Sequence, residues 1–111
     1  DQNWISVLDG KKWPGMQDHA TFPDKASVRA YAGQTEALVR GYLSRLNDET
    51  LGSVFSRWGK ELQVWEGLMH VIGHGIDHRS LLLTMLHQLG AETFEQDFVL
   101  YAFNGTWPSA D

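Results

Sequence analysis

The 111-residue chain has no cysteine. Disulfides, thiolate metal ligands and a cysteine nucleophile are excluded at once, and a reducing, cytoplasmic setting fits. Long apolar runs are missing too. None reaches the roughly 18–20 residues of a bilayer-spanning helix, and no signal-peptide pattern opens the chain. Basic charge is scarce: nine Lys and Arg stand against fourteen Asp and Glu, giving a net charge of −5 and a pI near 5.4. No basic cluster exceeds Lys11-Lys12. A general binder of nucleic acid or of anionic membrane would show a basic patch, so neither partner is expected. Internal repeats and low-complexity segments are also lacking.

What remains is an ordinary apolar fraction of 42% in a length that suits one domain with one core, residues 1–111. The chain opens on Asp1-Gln2-Asn3-Trp4 with no initiator Met and no capping lead-in, as if inside a helix whose start precedes it. Trp4, Ile5 and Leu8 share a helical face and Gly10 is a natural stop. KKWPGMQDHATFP is a loop, with a turn at Trp13-Pro14-Gly15. Asp24 is positioned to cap a helix running to about Leu46, whose apolar positions (Val28, Tyr31, Ala32, Leu38, Val39, Tyr42, Leu43, Leu46) keep helical spacing until Asn47-Asp48 stops it. SVFSRW and ELQV around Gly59-Lys60 fit a short hairpin or an extended connector, with a broken helix start as the competing assignment. The longest helix covers about 64–89 and ends at Gly90. FEQDFVLYAF is a short final helix with Phe94, Phe98 and Tyr101 inward, and NGTWPSAD is a tail.

One feature points to chemistry. His70, His74 and His78 recur every fourth residue of the long helix. A four-residue step overshoots one turn by only about 40°, so the imidazoles share a stripe, and neighbours at i and i+4 can close on one metal ion. His70 and His78 are about 12 Å apart along the axis, too far for one ion, so the pair is His74 with His78 or His70 with His74. Imidazole suits Zn²⁺, Ni²⁺, Fe²⁺ or Cu²⁺ alike. Two ligands are too few for a tight site, and a third must come from another helix.

The stripe runs on into Leu81 and Met85, opposite the broad apolar side of Trp65, Leu68, Met69, Ile72, Ile76, Leu83 and Leu86. Such a helix needs cover on both sides, as in a bundle or dimer interior. Gly67, Gly73 and Gly75 each weaken the helix by about 1 kcal/mol against Ala, a cost that close approach of another group would offset. Asp77 stands beside the stripe as an acceptor for an imidazole N–H or as a solvated carboxylate, and Arg79 braces the bundle or binds a substrate carboxylate. His19 and His87, taken singly, read as surface residues.

HVIGHGIDHRSLLLTMLHQLG with the following Phe- and Asp-containing segment resembles the C-terminal half of the DinB/YfiT-like superfamily. The family pattern runs His-Val-x-Asn-His-x-x-His-His-Arg-Gly-Gln, then an apolar stretch, Gln-Leu-Gly and Asp-x-x-x-Tyr. His70-Val71, His74, His78, Arg79, Gln88-Leu89-Gly90, Asp97 and Tyr101 match it. Gly73, Asp77 and Ser80-Leu81 depart from it. Trp4 through Gly15 resembles the end of the family's second helix and its loop.

The resemblance implies an all-α, up-down-down-up four-helix bundle, here without its first helix and most of its second. It also implies a homodimer and a divalent metal, Zn, Ni or Fe. His74 and His78 would be ligands, with the third histidine on the second helix before the position of Asp1. Members of known activity are similar to S-transferases and isomerases that use low-molecular-weight thiols such as bacillithiol or mycothiol. The implied function is a metal-dependent thiol S-transferase or hydrolase acting on a small electrophile. The alternatives are a non-catalytic, stress-associated bundle with a structural histidine stripe, and metal-independent ligand binding in a groove lined by Leu81 and Met85. The family name records induction by DNA damage and does not imply DNA binding, in keeping with the acidic pI. Without a first helix, the chain is expected to expose apolar surface over residues 28–46 and 65–86.

Overall fold

The computed structural model describes residues 2–104, which divide into two compact units between Gly73 and His74. Helices dominate, joined by one two-stranded antiparallel hairpin.

In the first unit, α1 (Gln2–Leu8) ends as the glycine signal predicts. Gly10 takes φ +72°, Gly10 N–H donates to the Val7 carbonyl at 3.0 Å, and Lys11 N–H donates to Ser6 at 2.8 Å. This double closure satisfies the last carbonyls of the helix, and it needs a residue that tolerates the left-handed region. The loop that follows is tied back where Asn3 Nδ2 donates to the Gly15 carbonyl at 2.8 Å, and it contains one 3₁₀ turn, His19–Thr21.

Asp24 caps α2 (Lys25–Leu43) as expected. Its carboxylate accepts from Ser27 N–H at 2.8 Å, while Ser27 Oγ accepts from Asp24 N–H at 3.3 Å. The carboxyl of Asp24 is held below its ordinary value, first by that backbone donor. α2 stops three residues short of the expected Leu46, because Asn47 starts a new helix and does not merely end the old one. Asn47 forms a second reciprocal cap with Thr50 at the head of α3 (Asp48–Gly52).

The hairpin assignment for the uncertain stretch holds. β1 (Val54–Arg57) pairs with β2 (Lys60–Gln63), Arg57 opposite Lys60, around the two-residue turn Trp58-Gly59. Both turn residues have positive φ, +51° and +71°, which matches the twist of the strands they join. The longest helix, α4 (Val64–Gln88), starts directly after β2, where Glu66 accepts from Gln63 N–H at 2.8 Å.

Ile5, Leu8, Tyr42 and Val64 form the buried core, with Leu38, Val39, Leu46, Phe55, Leu68 and Val71 packed against it. Ile5 is 2% exposed. Tyr42 Oη donates to the Leu8 carbonyl at 3.4 Å, and burial, reinforced by the nearby Asp9 carboxylate, pushes its phenol above the usual value. Of the apolar α2 stripe, Leu38, Val39, Tyr42 and Leu46 pack in this core and Tyr31 packs on Phe22, while Val28 and Leu43 are exposed.

The second unit holds the rest of α4 and α5 (Phe98–Asn104). Gly90, at φ +78°, closes α4 just as Gly10 closes α1, with Ala91 N–H donating to Leu86 at 3.0 Å. The final helix begins at Phe98 and not at the expected Phe94, and both phenylalanine rings are exposed where they were expected inward. The side chain of Tyr101 and residues 105–111, most of the expected tail, lie outside the described residues. The predicted apolar surface is there: Trp65, Met69, Ile72, Ile76, Leu81, Leu82 and Met85 are all exposed. Among the described residues, no helix is long and apolar enough to cross a membrane.

Candidate metal centre

Helical spacing alone brings His74 and His78 together. Their ring centroids are 4.3 Å apart at an interplanar angle of 85°, and the two Nε2 atoms face each other at 3.1 Å. At that distance the contact is a hydrogen bond whose donor is set by the tautomers of the two rings. Two imidazole nitrogens on one ion at about 2.0–2.1 Å stand about 2.9 Å apart at a right angle and about 3.4 Å apart at a tetrahedral one. The observed separation falls between these limits, so the pair fits a shared ion that replaces the shared proton.

The surroundings differ from expectation. Both rings were expected in an enclosed space, yet both residues are exposed in this chain. No third His, Asp or Glu among the described residues completes a group with them. Asp77, expected beside the stripe as an imidazole acceptor or as a solvated carboxylate, is exposed and makes no side-chain hydrogen bond among the described residues, in line with the second reading.

His70, the other member of the stripe, lays its ring against Trp4 with centroids 4.5 Å apart. His19 pairs with Asp18 at 3.3 Å on a fully exposed side chain, and His87 is exposed, as surface residues should be.

Arg79 braces. Its Nε donates to Gln96 Oε1 at 3.2 Å, and Gln96 Nε2 donates to Ser80 Oγ at 2.9 Å. One amide thus fastens the segment after α4 to the helix turn that follows His78. Sequence reasoning did not single out Gln96, because no spacing rule links positions 16 and 17 residues apart across a glycine stop.

The DinB family model matches residues 1–107. The chain belongs to the DinB family. No curated protein and no solved structure matches it. Within this DinB-family chain, the residues that carry the family pattern have distinct structural parts. His74 and His78 meet, Arg79 is anchored, and Gly90 closes the helix. Ser80, a departure from the pattern, supplies a hydroxyl acceptor that glycine would not offer.

Proposed function

We propose that this DinB-family protein binds one divalent ion, Zn, Ni or Fe, through His74 Nε2 and His78 Nε2, with a third donor from outside the described residues. The reading rests on the 3.1 Å approach of the two ring nitrogens. A divalent ion supplies Lewis acidity, enough to make a thiol or water nucleophilic at neutral pH. The chain's own part is to keep both rings on adjacent turns with Nε2 outward, each carrying its remaining proton on Nδ1. Arg79, tied to Gln96, steadies the turn beyond the pair. The proposed reaction is attack by a low-molecular-weight thiol or by water on a small electrophile.

The finer architecture belongs to the same proposal: a four-helix, up-down-down-up bundle, cytoplasmic and dimeric. The exposed Met69, Ile72, Leu81 and Met85 support it, since α4 has apolar side chains on more than one side. Metal analysis of purified protein, followed by a screen of thiols and electrophiles, tests the function. Loss of stoichiometric metal in His74→Ala and His78→Ala is expected. Retention of metal at the parental level in both variants defeats the proposal.

A second reading has one observation in its favour. The Nε2···Nε2 contact is itself a hydrogen bond, so the pair can serve as a structural link in a non-catalytic bundle. Chelation that leaves melting temperature and cellular role unchanged would select this reading.

A further inference from the structure

We propose that Arg57 and its tryptophans form a recognition site for a carboxylate carried on an aromatic body. The site lies wholly within residues 4–70 and is independent of the histidine pair. Strand alternation puts Arg57 on the same face of the hairpin as Phe55, and both are half-buried while their neighbours are exposed. The guanidinium carbon stands 4.2 Å from the centre of the Trp13 ring and 4.7 Å from that of Trp58. Trp4, buried in the first helix, is edge-on to both indoles, at 5.9 Å from Trp13 and 5.7 Å from Trp58, and is itself backed by His70. The frame is therefore held from the core outward.

Inside this frame the cation meets no protein acceptor among the described residues. Arg57 Nε is buried without a hydrogen-bond partner, and its side chain makes no ion pair among the described residues. Stacking on indoles stabilises the charge but leaves the buried Nε–H donor unmet. Shortage of acid does not explain this, since the chain carries five more acidic than basic residues. Arg40 and Arg45 both have carboxylate partners, Glu36 and Asp9.

The second observation is Trp58 itself. It occupies a left-handed turn position, φ +51°, where Asn, Asp or Gly would sit without strain, and 75% of it is exposed. A bulky ring held there at conformational cost, with one side open, is a platform for a flat ligand. The planar fork of Nε–H and Nη–H matches a carboxylate. Binding requires the Trp58 indole to swing off Nε and stack on the ligand's ring, a small motion for an exposed side chain.

The test titrates the full chain with sodium benzoate and with benzamide, its neutral counterpart, following the Arg57 Nε–H and Trp58 indole N–H signals by NMR. Benzoate is expected to shift both signals saturably, with benzamide at least tenfold weaker. Arg57→Gln should weaken benzoate binding at least tenfold with an unchanged melting temperature. Trp58→Gly, which suits the turn, should weaken it while preserving the fold. Equal binding of benzoate and benzamide, parental affinity in Arg57→Gln, or no saturable shift by tens of millimolar overturns the proposal.

Discussion

Two glycines on one helix should answer the same substitution with opposite signs. A Cβ added at Gly67 would meet Leu8 Cδ2 at 2.5 Å and Phe55 Cε1 and Cζ at 3.0 Å, whereas a Cβ at Gly73 meets nothing within 4 Å. Carbon contacts are comfortable at about 3.5–4.0 Å, so Gly67→Ala overlaps its neighbours by about 0.5–1.5 Å. Leu8 belongs to the buried core and Phe55 packs against it, so neither can simply swing into water.

Overpacking of this kind costs about 1–3 kcal/mol, while alanine returns up to about 1 kcal/mol of helix propensity at either position. Comparing the two variants cancels the propensity gain and leaves the overlap alone. For 111 residues the unfolding entropy is about 0.23 kcal/mol per kelvin, so Gly67→Ala should melt about 4–13 °C below Gly73→Ala. Gly73→Ala itself should melt about 2–4 °C above the parent. Thermal melts by circular dichroism, checked by urea midpoints, make the measurement. Leu8→Val, which shortens the obstructing branch, should cost less in the Gly67→Ala background than in the parent. Equal or greater stability of Gly67→Ala relative to Gly73→Ala would refute the close approach of α1 and β1 to α4.

Further predictions concern charge, caps and metal. The Asp9 carboxyl is held below its ordinary value, first by the hydrogen bond from Lys11, then, against some desolvation, by Arg45. Its stabilising contribution is therefore complete above the unfolded value of about 3.9 and is lost as pH falls through the lower folded value. Asp9→Asn should flatten the acid limb of a urea-midpoint profile; an unchanged limb would show that these pairs carry no stability. Asn47→Ala removes the acceptor for Thr50 N–H at 2.9 Å and should cost about 1 kcal/mol, and a stability within error of the parent would rule out an energetic role for that cap. For the histidine pair, single alanine variants should each lower bound metal to background in elemental analysis. If only one of the two does so, the ion is not shared between His74 and His78.

Local signals were legible where one or two turns of chain suffice to define them. The stops at Gly10 and Gly90, the cap at Asp24 and the hairpin around Gly59 all depend on residues within a few positions of each other. Asn47 was misjudged because a side chain that ends one helix can equally begin the next, and only the chain direction after it decides. The apolar α2 stripe was half right: periodicity shows which positions share a face but not how far along that face a partner extends.

For the candidate centre, the four-residue interval of His74 and His78 was enough to bring two nitrogens within 3.1 Å, because a helix is rigid over one turn. That much the order of residues determines unaided, together with the charge balance and the lack of thiols. Tertiary structure alone decided the rest. It brought Trp13 against Arg57, 44 positions away, and left the Nε of that cation without an acceptor among the described residues. It set Leu8 against Gly67, leaving room for a Cβ at Gly73 but not at Gly67. Such contacts join segments whose separation carries no periodic signature, and they form only when burial of Ile5, Tyr42 and Val64 draws those segments together.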